Sequence, residues 1–134
     1  MHLAQLNIGK TRFDLESPEM ADFVNNLDPI NAIAESSPGF IWRLQDESGD
    51  ATGIEVEDAP DMIVNMSVWE NLDALKNFMF KTHHIDFLKR KKEWFVPMSE
   101  NSYVLWYVAE GHIPTLEEAF ELIKYDDKDD VTED

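Results

Sequence analysis

The order in which the hydrophobic pattern changes along this chain limits its fold more than any other feature. Residues 2–8 alternate with a period of two, which predicts a strand buried on one face. A helix start at Ser17 opens a helical stretch that we expect to reach about residue 35. Pro29 should kink or divide that helix, because proline removes a backbone hydrogen bond and clashes with the preceding turn. Residues 40–45 then predict a second strand.

The second half repeats the alternation of strands and helices. The connecting stretch, residues 46–61, is acidic and contains glycine and proline, which is typical of a solvated connection or an extended hairpin arm. The predicted elements that follow are strand, helix, strand and helix, at residues 62–69, 71–95, 103–109 and 115–124. Asn71 or the residue before it caps the long helix. Thr115 and Glu118 have the spacing of a capping box.

Strand, helix, strand, strand, helix, strand is the order of the ferredoxin-like fold. It predicts an α+β domain with a four-stranded antiparallel sheet, two helices on one face, and an added terminal helix. We expect residues 1–124 to form this single domain, since a chain of 134 residues can bury a substantial core. Residues 125–134 form an acidic tail that we expect to be disordered.

The two faces of the predicted sheet differ in chemistry. One face is aliphatic and carries Ala4, Leu6, Ile8, Val64, Met66 and Val68. The other mixes polar and aromatic side chains and carries Gln5, Asn7, Asn65, Ser67 and Trp69. We therefore expect the helices to cover the aliphatic face, and the mixed face to line a concave surface closed by a second subunit. If Phe40, Trp42 and Leu44 pack on the helices, Arg43 joins the mixed face.

Charge and composition exclude several classes of partner and site. Eleven Lys and Arg residues against 28 Asp and Glu give a net charge of −17, which repels nucleic acid and anionic lipid. The chain has no cysteine, so thiolate ligands, disulfides and a cysteine nucleophile are absent. No apolar run is long enough for a membrane span, and no secretory signal is visible. We expect a cytoplasmic protein without nucleic-acid or membrane partners.

The predicted long helix carries an unusual stripe of side chains. At spacings of four, seven, eleven and fourteen residues it presents Phe80, His84, Phe87, Lys91 and Trp94. His84 could act as a general acid or base, or as an axial ligand of haem iron. The alternative is a structural histidine packed between Phe80 and Phe87. His83 points elsewhere on a helix, so no pair of histidines with metal-binding spacing is present and no metal site is predicted.

Arg43 is the second candidate for a catalytic role. It could bind an anionic or carbonyl group of a substrate, or alternatively form an ion pair with an acid of residues 46–61. Around these two candidates we expect a substrate-binding set of Asn7, Asn65, Ser67, Trp69, Phe80, Lys91 and Trp94. The polar members would orient a substrate, and the aromatic members would form walls for a flat hydrophobic molecule. No P-loop, dinucleotide-binding or serine-hydrolase motif is present.

Several segments together resemble a bacterial family called domain of unknown function 3291, within the dimeric α/β-barrel superfamily. They are residues 3–9, 27–45, 67–78 and 105–119, with His84, Lys91, Trp94 and Phe95. The resemblance implies a ferredoxin-like fold and a homodimer but no particular reaction. Lys91 stands where the family pattern has arginine, which replaces a planar fork of donors by a point charge. The C-terminal segment also departs from the family, since an acidic tail replaces a small aromatic strand.

Three functions follow as hypotheses. In similar folds, which include cofactor-free monooxygenases, haem-degrading enzymes, isomerases and cyclases, sites lie between the sheet and the helices. The first hypothesis is a homodimeric enzyme of the cofactor-free monooxygenase, isomerase or cyclase type that binds a small, partly hydrophobic molecule. The second is a haem-binding protein with His84 as axial ligand. No cofactor is expected under the first hypothesis, whereas the second requires haem. The third is a non-catalytic dimeric binding module with a filled sheet face.

Overall fold

The computed structural model describes residues 1–45, 62–81, 85, 89–96 and 103–122, and in this part of the chain an antiparallel sheet carries helices on both faces. Its strands are β1 (His2–Thr11), β2 (Phe40–Arg43), β3 (Met62–Trp69), β4 (Phe95–Val96) and β5 (Tyr103–Val108). β1 lies between β3 and the β4–β5 edge, and β2 pairs with the far side of β3. This is the ferredoxin-like order, which confirms the predicted fold class.

A 3₁₀ turn (Pro18–Met20) leads into α1 (Ala21–Ser36), and the later helices are α2 (Leu72–Lys81), α3 (Lys91–Trp94) and α4 (116–122). Two helices, α2 and α4, begin at the predicted capping residues, whereas Ser17 makes no side-chain cap and α1 begins later, at Ala21. Asn71 Oδ1 accepts the Ala74 N–H at 2.9 Å. Thr115 Oγ1 accepts the Glu118 N–H at 3.2 Å, and Glu118 Oε1 accepts the Thr115 N–H at 3.4 Å. Of the described helices, none has the length and apolar character that crossing a bilayer requires.

Two expectations about the helices need correction, namely that Pro29 divides the first helix and that one helix runs over residues 71–95. Pro29 lies inside α1 without dividing it, on the exposed side of the helix, where water can bond the carbonyl group that proline leaves unpaired. The long helix expected over 71–95 is also interrupted, since Arg90 forms a turn and α3 is a separate short helix. The interruption brings β4 back to β1, where the Arg12 N–H donates to Trp94 O at 2.8 Å.

The assignment of the two sheet faces is wrong as well. The mixed face, not the aliphatic one, lies under α1 and α2, where Leu3 and Trp69 pack against Ala34, Leu75 and Phe78. The aliphatic face packs against α4, which the prediction left out of the sheet packing. Leu6, Val64 and Met66 form a core there with Ala119, and Leu116 and Phe120 pack against it. Each face therefore has its own helical cover.

A β-bulge in β2 changes which of its residues share a face. Phe40 lies opposite Trp69 and Trp42 lies opposite Val68, with an irregularity between them. The bulge sends Phe40 to the α1–α2 side and Trp42 to the α4 side, so the two do not pack together as expected. Arg43 lies opposite Ser67, on the α1–α2 side.

Gly39 fits a turn that other residues would strain. Its φ is +85°, and a Cβ at this position would lie 2.5 Å from the Cβ of Ala74. A residue with a side chain would therefore strain the backbone and push α2 away from β2. The predicted boundary after residue 124, the acidic tail and the connection over 46–61 fall outside the described residues, so these predictions stay untested.

Candidate ligand-binding site

A cavity of about 180 Å³ lies between the mixed face of the sheet and helices α1 and α2. Its roof is one stripe of α1, formed by Phe23, Leu27, Ile30, Asn31 and Ala34. These positions are four, seven, eight and eleven residues from the first, so a regular helix presents them together. Its floor is the central pair of strands, β1 and β3.

Aromatic clusters close the two ends of the cavity. At one end the Trp69 and Phe78 rings stack with centroids 5.2 Å apart, and Phe40 meets Trp69 edge-on at 5.5 Å. At the other end Phe23 packs against Trp94 and Phe95, with centroid distances of 5.6 and 5.2 Å. Both tryptophans are 1% exposed. Flat apolar walls of this kind suit a flat hydrophobic ligand.

Phe95 reaches the floor at Gly9. A Cβ built on Gly9 would lie 2.8 Å from the Phe95 ring, closer than real Cβ contacts allow. Both residues line the cavity. The absence of a side chain at Gly9 therefore lets the Phe95 ring lie flat against β1.

The middle of the floor is a connected polar network. Gln5 Nε2 donates to Asn65 Oδ1 at 2.7 Å and to Ser67 Oγ at 2.8 Å. Trp69 Nε1 donates to the same Ser67 Oγ at 2.9 Å. Both acceptor positions of the Ser67 hydroxyl are thus occupied, and its remaining capacity is to donate a proton. In this arrangement Asn65 also keeps its Nδ2 group available as a donor.

Arg43 enters the side of the cavity from β2. Its side chain is 13% exposed, and its Nε lies 3.5 Å from Glu35 Oε2, where it forms an ion pair but no hydrogen bond. Glu35 is not among the lining residues, and its side chain is 49% exposed. The buried Nε of Arg43 has no hydrogen-bond partner in the described part of the chain. The predicted alternative, an ion pair with residues 46–61, falls outside the described residues.

Tyr103 is a lining residue that the sequence did not single out. It lies on β5 opposite Asn7, and its hydroxyl donates to Met79 Sδ at 3.7 Å, a weak interaction. Burial raises the pKa of Tyr103, so its hydroxyl keeps the proton at neutral pH. The only signal in the sequence is its position in β5, which becomes informative once the β1–β5 register is known.

The structure brings most of the predicted binding residues together. Those that line the cavity are Asn7, Arg43, Asn65, Ser67, Trp69, Lys91 and Trp94. Phe80 does not, and is 52% exposed, because it lies two positions beyond Phe78 and therefore about 200° around α2. His84 and Phe87 lie outside the described residues. None of the residues that form the α1 roof was among the predicted binding residues.

No group of three or more potential metal-ligating side chains occurs in the residues that the structure describes. The chemistry that the described site offers is hydrogen bonding, positive charge and aromatic packing.

Comparison with known proteins decides the family. The model described as Domain of unknown function (DUF3291) matches residues 2–133. The chain belongs to this family. The resemblance drawn from the sequence segments is thereby confirmed. No curated protein matches the sequence.

Solved structures similar to this family member share its fold. SnoaB, a cofactor-independent oxygenase from Streptomyces nogalater, is 16% identical with a TM-score of 0.53, over 85% of this chain and 98% of its own. Rv0793 from Mycobacterium tuberculosis is 12% identical with a TM-score of 0.60, over 84% and 100%. A protein from Nitrosomonas europaea, described as a candidate antibiotic biosynthesis monooxygenase, is 11% identical with a TM-score of 0.57, over 82% and 92%. At these identities the likeness extends to the fold alone.

Proposed function

We propose that this protein is an enzyme of the cofactor-free monooxygenase, isomerase or cyclase type, which binds a small, partly hydrophobic substrate in the cavity under α1 and α2. The observation that carries the proposal is the combination of aromatic ends with a polar floor in one cavity. A cavity of this kind favours a ligand-binding enzyme over the non-catalytic dimeric binding module, for which a filled sheet face was expected.

The three reaction types share an intermediate that the site could stabilise. Each can begin with loss of a proton from a carbon beside a carbonyl group, or from a phenol, which leaves negative charge on oxygen. Arg43 and the Ser67 hydroxyl are donors for such an oxygen. We assign the proton-accepting role to His84, which lies outside the described residues.

An oxygenation without a cofactor could follow from this intermediate with all atoms and electrons accounted for. The substrate carbanion gives its electron pair to O₂, and the resulting peroxide takes up the proton. Loss of the second C–H proton with cleavage of the O–O bond then yields C=O and water, so that CH₂ + O₂ becomes C=O + H₂O. SnoaB is described as a cofactor-independent oxygenase, which favours this reaction within the proposal.

SnoaB is described as a cofactor-independent oxygenase, which favours the first hypothesis over the haem alternative. His84, the axial ligand that the haem alternative requires, lies outside the described residues. A homodimer remains part of the proposal, since the chain belongs to a family whose fold resembles dimeric α/β barrels.

Tryptophan fluorescence tests the binding step. Trp69 and Trp94 line the cavity, whereas Trp42 and Trp106 pack on the opposite face of the sheet. We expect 2-naphthol to quench the emission saturably, and we expect the double variant Trp69→Phe, Trp94→Phe to lose that response.

The matched control is the double variant Trp42→Phe, Trp106→Phe, which should keep the saturable quenching. A protein that shows no saturable quenching with any flat phenol or aromatic ketone would contradict the proposed function. For an oxygenase substrate, consumption of O₂ without added metal or flavin should be lost in His84→Ala.

A further inference from the structure

We propose that the ligand of this cavity is an anion, namely a flat aromatic molecule whose carboxylate or enolate oxygen binds Arg43, and that Glu35 sets the selectivity for that charge. The inference rests on the proposed function, since it names the substrate class of the same cavity. It adds a residue, Glu35, that does not line the cavity.

The distribution of charge is the first argument. The whole chain carries 28 acidic against 11 basic residues. The described lining residues reverse this balance, because they include Arg43 and Lys91 but no aspartate or glutamate. A cavity with a positive lining inside a strongly negative molecule attracts an anion once the anion reaches its mouth.

The unfilled hydrogen bond of Arg43 is the second argument. A buried donor without a partner is costly, more so when it is charged. Glu35 Oε2 lies 3.5 Å from the covered Nε and makes no hydrogen bond with it, so the buried charge of Arg43 is only weakly compensated. A ligand oxygen in the cavity would compensate this charge through the other N–H groups of the guanidinium, and a carboxylate would do so more strongly than a neutral carbonyl group.

The floor next to Arg43 is the third argument. Ser67 lies opposite Arg43 in the β2–β3 register, and its hydroxyl already accepts two hydrogen bonds. It therefore presents its proton, and Asn65 presents its Nδ2 group because its Oδ1 accepts from Gln5. This part of the cavity is thus lined by hydrogen-bond donors from two neighbouring strands, β2 and β3. Such a lining suits a ligand group that only accepts hydrogen bonds, as an anionic oxygen does.

Glu35 follows as a specificity residue. Its charge partly neutralises Arg43 in the free protein, and it is far more exposed than the arginine side chain. A bound anion competes with Glu35 for the same guanidinium. Removal of the Glu35 charge should therefore strengthen anion binding, whereas a merely structural Glu35 would leave it unchanged or weaken it.

A pair of ligands with the same shape and different charge tests the inference. We would measure the Kd of 2-naphthoate and of neutral 2-naphthamide by titration calorimetry with the full chain. We expect naphthoate to bind about tenfold more tightly or better, which corresponds to about 1.4 kcal/mol or more. The preference should shrink at high salt, because salt screens the attraction.

Variants identify the charge that is responsible. Arg43→Met should abolish the preference for naphthoate while naphthamide binding stays within about twofold, and Glu35→Gln should raise naphthoate affinity alone. Lys91→Met is the matched control, since Lys91 is exposed and should contribute less than Arg43. Circular dichroism shows whether each variant folds, and Arg43→Lys, with an intermediate preference, keeps the test open if Arg43→Met does not fold.

Equal affinity of the wild-type protein for the two ligands would overturn the inference and leave the proposed function standing. Failure of both to bind would overturn the inference, whereas the proposed function falls only if the flat phenols and aromatic ketones also fail to quench the tryptophan emission. Weaker naphthoate binding in Glu35→Gln would remove Glu35 from the proposal.

Discussion

Ser67 joins the floor of the cavity to its aromatic end. Its hydroxyl accepts from Gln5 and from Trp69, and all three residues are buried. Removing this one oxygen would leave Trp69 Nε1 without a partner and Gln5 Nε2 with only its bond to Asn65, which costs more than the net value of the bonds that are lost. Ser67 thus holds the indole that forms the end wall.

Ser67→Ala should therefore destabilise the protein markedly. We expect the free energy of unfolding in urea to fall by about 2–4 kcal/mol, since two buried donors each lose an acceptor. Ser36→Ala is the control, because the hydroxyl of Ser36 is exposed at the end of α1, and its effect should stay within about 0.5 kcal/mol. Equal effects of the two changes would show that the buried network adds nothing to stability.

The site residues that could be predicted correctly from the sequence are those on strands, where side chains alternate between the two faces of the sheet. Asn7 and Asn65 lie directly opposite each other in the β1–β3 register, so the pattern of each strand alone placed them together. Phe80 was misplaced because a helical stripe was extended through a turn at Arg90. Tyr103 and Phe23 enter the site through tertiary packing, which no local pattern records.

Helix α4 is held on the sheet by one carboxylate as well as by apolar contacts. Glu118 accepts from Trp106 Nε1 at 3.0 Å and lies 2.9 Å from His112 Nε2, in addition to its capping bond with Thr115. Partial burial opposes ionisation of Glu118, but the hydrogen bonds from His112, Trp106 and Thr115 outweigh it and lower the pKa. The capping box predicted from the sequence thus has a second role, at the junction of α4 with β5.

This lowered pKa predicts a loss of stability in acid. The unfolded chain titrates near 4.5 and the folded one lower, so the stabilisation is fully present above pH 4.5 and is lost as the pH falls through the folded pKa of Glu118. Urea unfolding of the wild type between pH 6 and 3 should therefore show a steeper decline than that of Glu118→Gln, in which other carboxyl groups with a lowered pKa, such as Glu93, still contribute. Parallel pH profiles for the two proteins would contradict the assignment.

At the level of elements, most boundaries could be predicted from caps and turn residues. Asn71 and Gly39 mark boundaries through hydrogen bonding and backbone conformation that are local to the chain. β4 was missed because a two-residue strand has no periodicity, and it forms through pairing with Lys10 and Thr11 on β1. Helix α1 continues through Pro29 because this part of the helix is exposed to water, and the exposure of a helix side could not be predicted from the sequence.

For the whole molecule, the element order was enough to predict the fold class but not the role of each sheet face. From the sequence, the aliphatic face was expected to pack against two helices, but α4 covers it. Helices α1 and α2 instead pack on the mixed face, where Leu3 and Trp69 provide the apolar contacts. Polar groups between those contacts then face a cavity. Which helix takes which face depends on total packing, and the alternating pattern is compatible with either choice.

The edge strand β5 leads to a prediction about assembly. Its side chains Leu105 and Tyr107 lie on the mixed face, opposite Gln5 and Leu3 of β1, and are 41% and 64% exposed, which is unusual for large apolar residues. We expect light scattering to give twice the 15.5 kDa mass of one chain. The double variant Leu105→Glu, Tyr107→Glu should shift the protein to monomer.

Ile113→Glu is the control for this change, because Ile113 is equally apolar and 57% exposed but lies outside β5. It should leave the mass unchanged. A wild-type monomer would remove the homodimer from the proposed function, and a dimer that survives the double variant would place the interface elsewhere.

The contact between Gly9 and Phe95 gives the site a means of changing size by single steps. Because a Cβ at Gly9 would collide with the Phe95 ring, a side chain at that position must displace the ring, which lines the cavity. The length of the accepted substrate could thus change, by evolution or by design, through substitution of Gly9, while Arg43 and the polar floor stay the same. Relatives with different residues at this position should therefore differ in the number of aromatic rings in the substrates that they accept.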